Sequence, residues 1–329
     1  MLIRSIIYSV LCFSSLQLNA QSIARRDSDA IPAKLESIYT RGLKYLANSQ
    51  QANGVWTDNS GHYPGVVGLA TLAFLAHGED PNHGPYSSNI KNCINFLLES
   101  QKAENGYIGT SMYNHGFATL ALAEAYGVVD EPKIEKALQK AVDLILSAQK
   151  RNPKGAWRYS PDSKDADTTV TGCQIVALLA ARNAGIPVPD SAIERALKYM
   201  SSCRDSGGAY GYTSRGGAKT TLTAIGSLCF SLAKQKNADG FDQSLEHLKQ
   251  NLDYRDTHYT YYFEYYMSQA LFHADEDLWK LWNDKNIRLM SVTQQSDGSW
   301  LGNRGPAYST ASALLSLALN YRLLPIYEK

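Results

Sequence analysis

Residues 149–182 read Gln149-Lys-Arg-Asn-Pro-Lys-Gly155-Ala-Trp157-Arg-Tyr159-Ser-Pro161, then Asp165-Ala-Asp167-Thr168-Thr169-Val-Thr-Gly172, then a run of small apolar residues to Arg182. The stretch holds the end of one helical pattern, a Gly/Pro turn closed by an indole, two acids and the start of a second helical pattern. The chain repeats this plan. Gln50-Gln-Ala-Asn-Gly54-Val-Trp56 and Gln294-Gln-Ser-Asp-Gly298-Ser-Trp300 both read Gln-x3-Gly-x-Trp, near opposite ends of the sequence. Looser copies begin at Gln101, Gln149 and Arg204, the last closed by Gly207-Gly208-Ala-Tyr210. The anchors at 50, 101, 149, 204 and 294 are 51, 48, 55 and 90 residues apart, so the widest gap hides one more degenerate copy near Asn251. Six units of about fifty residues result, and a period of that length signals a repeat architecture.

Each unit has two helical halves. Before the turn the pattern is amphipathic: in 133–149, Ile134, Ala137, Leu138, Ala141, Leu144, Ile145 and Ala148 make one stripe, with Lys136, Gln139, Lys140 and Asp143 opposite. Segments 33–49, 86–100, 191–203 and 277–293 behave alike. After the turn, segments 66–76, 116–126, 170–184, 222–233, 262–272 and 310–323 are apolar nearly all round. A helix without a polar face must be covered on every side. Six buried helices alternating with six half-buried ones fit an inner ring of parallel helices shielded by an outer ring running the other way. The sequence therefore predicts an all-α (α/α)6 toroid, one domain over 33–329 after a linker at 21–32. In each corner, glycine closes the outer helix in a left-handed conformation. The indole covers the helix end, and the glutamine meets backbone groups left unpaired there.

Met1 to Arg4 give a basic start, Ser5 to Leu18 an apolar stretch, and Leu18-Asn19-Ala20 a small-residue cleavage site, so residues 1–20 read as a signal peptide and not a membrane anchor. That predicts a secreted or periplasmic protein. Losing those residues removes Arg4 and no acid from 32 basic and 31 acidic residues, leaving the charges balanced. Such a balance gives no reason to expect a nucleic-acid or anionic-membrane partner. Of the five cysteines, Cys93, Cys173, Cys203 and Cys229 remain, all in apolar helical segments, where buried thiols are expected more than bridges.

The Gln-Gly-Trp corners resemble the QW repeats of the terpenoid cyclase and protein prenyltransferase family, which includes squalene cyclase. The likeness covers nearly all of 33–325 and implies an α/α toroid whose central cavity opens at one end. Asp165-Ala-Asp167-Thr168-Thr169 is similar to the Asp-x-Asp-Asp-Thr motif of class II triterpene cyclases. By that resemblance Asp167 is the proton donor, Asp165 the first acid and Thr169 the threonine, while Thr168 replaces the final acid. Members acting on epoxides keep only the middle acid, followed by a non-acid and threonine. The residues themselves leave a second reading open: an Asp just before an apolar helical run is an N-cap.

Tyrosines are the second signal. Tyr259-Thr-Tyr261-Tyr262-Phe263-Glu264-Tyr265-Tyr266 is dense, and Tyr113, Tyr159, Tyr210, Tyr212 and Tyr308 recur around turns and inner-helix starts. Their faces either stabilise a cation in a cavity or simply fill the barrel. Asn114, His115 and His258 fall on the same expected rim, where Arg158, Arg215 and Lys219 would meet a diphosphate or lie solvated. The family's prenyltransferases hold zinc through an Asp-x-Cys pair, and no cysteine here has an acid two residues before it. The thioester motif of complement-like toroids is missing at Gly172-Cys173-Gln174-Ile175 as well. Neither a metal nor any other cofactor is expected. Two functional readings stand. One is an isoprenoid cyclase with Asp167 as general acid in a tyrosine-lined cavity, and the other a non-catalytic toroid binding an apolar ligand, a glycan or a protein. Cleavage of a polysaccharide would need a second carboxylate, for which Glu264 is the one candidate.

Overall fold

The computed structural model describes residues 31–328, so the proposed signal peptide lies outside the described residues. The compact unit that begins at Pro32 is built from twelve α-helices among the described residues. In chain order they are α1 (Ala33–Ser49), α2 (Pro64–His77), α3 (Ser87–Glu99), α4 (Met112–Ala125), α5 (Lys133–Arg151), α6 (Thr168–Asn183), α7 (Asp190–Ser202), α8 (Thr220–Leu232), α9 (Phe241–Gln250), α10 (Thr260–Ala274), α11 (Glu276–Thr293) and α12 (Pro306–Leu317). Among the described residues, extended pairing is limited to two isolated bridges, Gln101 with Ile108 and Arg204 with Tyr210, both inside corners.

The even-numbered helices form a closed ring in which α2 touches α4, α4 touches α6, and so on until α12 returns to α2. They are buried almost throughout: in α2 every residue from Pro64 to Ala76 is covered. Each odd-numbered helix packs on the inner helix before it, and α1, which has none before it, packs on α12. The fold is an (α/α)6 toroid. The amphipathic segments became the outer helices, with the α5 stripe from Ile134 to Ala148 buried as its period requires.

The corner hydrogen bonds explain the repeat. Gln50 Nε2 donates to the Gly54 carbonyl of its own corner (3.3 Å) and to Asn89 O in α3 (3.2 Å). Gln101 reaches Gly106 O and Ala137 O in α5, and Gln149 reaches Gly155 O and Ala192 O in α7, both at 2.8 Å. Gln294 repeats this on Gly298 O and on Ile38 O of α1, which closes the ring. In these four corners one carboxamide thus ties the corner to the next outer helix, not to the orphan carbonyls of its own helix. The indoles reach back to the preceding helix: Trp56, Trp157 and Trp300 Nε1 donate to Leu46, Ile145 and Met290 O near the C-terminal ends of α1, α5 and α11.

Gly298 lies at φ +93°, and a Cβ there would come within 2.3 Å of Arg41 O. The residue is glycine for two reasons, backbone handedness and the approach of the next helix. The fourth corner substitutes Arg204 for glutamine and Tyr210 for the indole, and Arg204 donates to Asp239 O. The fifth, at Asn251, has neither glycine nor tryptophan. Arg255 instead reaches 3.4 Å from its Nε to Oε1 of buried Glu264 in α10.

Inner helices start up to a turn earlier than hydropathy indicates. α4 begins at Met112, with Ser111 as its N-cap, and α12 begins at Pro306, giving way after Leu317 to a 3-10 turn. Their first turns carry Tyr113, Asn114 and Tyr308, whose polarity breaks the apolar run. Beyond α12 the chain runs beneath the C-terminal ends of the inner helices, burying Leu324, Ile326 and Tyr327. There Ile326 N–H donates to Glu124 at the end of α4. All four described cysteines are buried and free. No described helix is long and apolar enough to cross a membrane.

Gly298→Ala is predicted to lower stability by clearly more than Gly185→Ala, measured as urea unfolding midpoints. Both positions have positive φ, which costs a side chain about 1 kcal/mol, but a Cβ at Gly185 meets nothing within 4 Å.

A tyrosine-walled cavity at the inner-helix N-termini

The starts of all six inner helices surround a cavity of about 640 Å³. That size is typical of small-molecule sites. Its floor is apolar: Val66, Leu69, Phe117 and Leu222. Seven tyrosines make the wall, Tyr63, Tyr113, Tyr159, Tyr212, Tyr259, Tyr262 and Tyr308. Tyr113 and Tyr262 meet hydroxyl to hydroxyl at 3.3 Å, and Tyr159 and Tyr212 at 2.5 Å. Further along the axis Tyr265 and Tyr266 fill the barrel with their own rings, edge to face on Phe117 and Tyr262 respectively. Tyrosines therefore line the cavity at its mouth and fill the barrel below it. The charged residues of the lining are Lys219, Asp256 and Arg304.

Asp167 stands one layer behind this wall. It is the N-cap of α6, its Oδ1 accepting from Val170 N–H (2.8 Å) and from the Thr169 hydroxyl (2.6 Å). Thr169 lines the cavity, and Asp167 does not. Its Oδ2 is buried without a hydrogen-bond donor, 3.8 Å from Arg158 Nε. Burial pushes the carboxyl above the usual carboxylate range, against the pull of Thr169, Val170 and the Arg158 charge. Arg158 lies over the rings of both Tyr159 and Tyr212, so the guanidinium and the tyrosine pair form one stacked group beside the acid. Asp165 is exposed and paired with Arg158.

Tyr113, Tyr159, Tyr212, Tyr262, Tyr308 and Thr169 thus share the cavity. The structure places the other candidates elsewhere. His115 is fully buried, accepting from Ile108 N–H at Nδ1 and bonding Ala141 O at Nε2, and burial pulls it down to about 4. That makes it a neutral bracket between α4 and α5. Tyr210 is buried in its corner against Gly226, Tyr261 packs on Gly302, and His258 is exposed and contacts Asn303. Arg215 is exposed and outside the lining. Glu264 is fully buried in α10, outside the lining, so it offers the cavity no second carboxylate.

Asp256 is the carboxylate that does line the cavity. Oδ1 accepts from His258 and Tyr259 N–H and Oδ2 from the Thr221 hydroxyl, so it fastens the degenerate fifth corner to α8. Sequence reasoning passed over Asp256, Tyr63 and Arg304. The available signal was position: each precedes an inner-helix start, as Tyr159 and Tyr212 do. Among the described residues no group of three or more His, Cys, Asp or Glu is arranged to hold a metal ion.

A family model described as a domain of unknown function, DUF6288, matches residues 36–314. The chain belongs to this family. No curated protein matches the sequence. Among solved structures, the chain is similar to the type II terpene cyclase MstE from Scytonema, with a TM-score of 0.62 and 14% identity over 88% of this chain and 99% of that one. It is similar also to an inactive variant of the alpha-1,6-mannanase GH76A of Salegentibacter sp. HEL1_6 in complex with alpha-1,6-mannotetrose, with a TM-score of 0.65 and 10% identity over 88% and 99%. At such identities the likeness establishes the toroid alone.

Two substitutions probe the acids. Asp167→Ala should cost about 1–2 kcal/mol through loss of the cap, and Asp167→Asn only a small fraction of that, since asparagine caps as well as aspartate. Burial raises Glu264 to about 8. A carboxyl raised in the folded state holds its proton more tightly there, so its contribution to stability is full below the unfolded value near 4.5 and is lost as pH rises through 8. Glu264→Gln is therefore predicted to gain on the wild type between pH 5 and 8, by at most about 1.4 kcal/mol per pH unit. Denaturant midpoints across that range check it.

Proposed function

We propose that this toroid is a binding protein for a small molecule with a large apolar body, which it holds in the tyrosine-walled cavity without acid-initiated cyclisation. The observation that carries the reading is the contrast between wall and floor on one side and Asp167 on the other. The cavity has an apolar floor and aromatic sides suited to a prenyl-like chain. The carboxyl that the cyclase resemblance assigns as proton donor has one oxygen committed to the α6 cap, the other beside Arg158, and Thr169 between it and the cavity. A general acid must come within hydrogen-bonding reach of the atom it protonates.

The architecture supports this choice of ligand. A variant of MstE has been solved in complex with geranylgeranyl dihydroxybenzoate, its substrate, whose tail is an isoprenoid. The mannanase likeness supports a glycan as the alternative. Glycoside hydrolysis, however, calls on two carboxyl groups flanking the scissile bond, and the lining offers Asp256 alone. An apolar floor also gives a sugar no hydrogen-bond partners there. Residues 1–20, with their basic start, apolar middle and small-residue end, support export from the cytoplasm as the setting.

Farnesol and mannotetraose are the discriminating probes. Calorimetric titration should show saturable binding of farnesol and none of mannotetraose. Leu69→Trp, which puts an indole into the floor, should weaken farnesol at least tenfold while the helical circular dichroism is retained. Binding of the tetrasaccharide alone would overturn the reading. So would conversion of an isoprenoid into a cyclic product that Asp167→Asn abolishes.

A further inference from the structure

The charged residues at the mouth are not evenly committed. Arg158 is paired with Asp165 and Asp167, Arg151 with Asp162, and Arg255 with Glu264. Lys219 and Arg304 line the cavity, yet neither forms a salt bridge among the described residues. They stand on two sides of one helix. Lys219 is the N-cap position of α8, Arg304 precedes α12, and both α8 and α12 pack against α10. Between the two cations, α10 begins at Thr260 after an N-cap residue, Tyr259, whose side chain accepts from no first-turn amide, and α8 also starts without such a cap. The first-turn amides of both helices add partial positive charge at the same corner of the cavity. Arg304 is placed over the ring of Tyr259, 5.9 Å from its centre, which gives its guanidinium a fixed platform at the cavity edge.

One negative group shares the corner. Asp256 accepts from Thr221, His258 and Tyr259, so its lone pairs are largely occupied by the protein's own donors while its charge remains. Among the lining residues this corner therefore carries two positive side chains and one negative, a net of one positive charge, while Asp58, outside the lining, is held by Ala307 N–H at the start of α12. A head group with a single negative charge completes that balance. A head with several charges would meet Asp256 at close range, where like charges repel.

We propose that the ligand bound in this cavity carries a carboxylate head, seated between Lys219 and Arg304 at the start of α10, with Asp256 setting the preference for a monoanion over a diphosphate. The proposal rests on the apolar-body reading above and specifies the polar end of the same ligand. Tyr259 and Tyr308 share the lining with Arg304 and offer neutral hydroxyl donors there.

Farnesol, farnesoic acid and farnesyl diphosphate share one tail and differ in head charge, so they separate the two readings. Calorimetric titration of the purified protein at low ionic strength should give the acid about tenfold tighter binding than the alcohol, the scale of one charge-assisted hydrogen bond. The diphosphate should bind no more tightly than the acid. The advantage of the acid should shrink as salt is raised, because the mouth is exposed to solvent. In Lys219→Met with Arg304→Met, the ratio of acid to alcohol affinity should fall to about one, and Asp256→Asn should favour the diphosphate relative to the acid. Both cations are exposed, so their replacement is not expected to disturb folding, and circular dichroism checks it. Equal binding of acid and alcohol by the wild type, or a ratio that survives the double replacement, would overturn the carboxylate head and leave the apolar-body reading standing. A diphosphate bound more tightly than the acid would overturn the role of Asp256. Failure of all three probes to bind would remove the apolar-body reading itself, and the head group with it.

Discussion

The toroid depends on one carboxamide geometry. A glutamine at the end of an outer helix has a single NH2 group, and its two hydrogens go to two carbonyls, one in its own corner and one in the next outer helix. Neither bond alone would fix how far one repeat is rotated from the next, but the pair does. Each such bond contributes on the order of 1 kcal/mol net, and the value of the arrangement lies in its direction more than its strength. The last glutamine, Gln294, finds its partner on the first helix at Ile38, and Arg41 returns the contact by donating to Gln295 O. The first and last repeats are joined further by Asp58, which accepts from Ala307 N–H, and by Tyr321, which donates to Glu36. A solenoid with open ends becomes a ring through these contacts.

Closing the ring brings six parallel helix starts to one face. Hydropathy alone would make the interior a packed core, and over most of its length it is one, with Tyr265, Tyr266 and Phe263 buried. Only the first turns stand far enough apart to leave space, and those turns and the segments just before them carry tyrosines, threonines and the uncommitted cations. The opposite end is closed by the chain's own C-terminal segment around Tyr327. Among the described residues the cavity opens at the inner-helix N-termini, and the residues that set its chemistry sit where the repeat is least regular: the loops before α8, α10 and α12. The degenerate fifth corner is the clearest case. Without a glycine or an indole it cannot form the usual turn, and Asp256 and the Arg255–Glu264 pair hold it instead.

Much of this was legible in the sequence, and for a definite reason. Gln50 to Trp56 and Gln294 to Trp300 are local devices whose spacing survives in one dimension, and the contrast between a striped helix such as 133–149 and an apolar one such as 170–184 reports burial directly. Five of the seven tyrosines read as cavity residues do line it, and so does Thr169, which the resemblance gave as the motif threonine. What the sequence left undecided at Asp167 was orientation. An N-cap and a general acid ask for the same residue at the same place, and only the positions of Oδ1, Thr169 and Arg158 separate them. His115 misled because an inner-helix start has a face toward the axis and a face toward the outer layer, and a turn boundary uncertain by three or four residues exchanges the two; Tyr210 misled because it takes the place of the corner indole. Asp256 and Arg304 carried no motif at all; their place follows from tertiary geometry.

The cavity is proposed to take an apolar ligand while Asp167 stays a helix cap. A crystal structure of the protein in complex with farnesol decides this. The farnesyl chain is expected to lie on Leu69, Phe117 and Leu222, with Asp167 Oδ1 still bonded to Val170 N–H and Thr169 between the acid and the ligand. A ligand bound outside the cavity, or an Asp167 carboxyl turned past Thr169 to touch a carbon of the farnesyl chain, would contradict it.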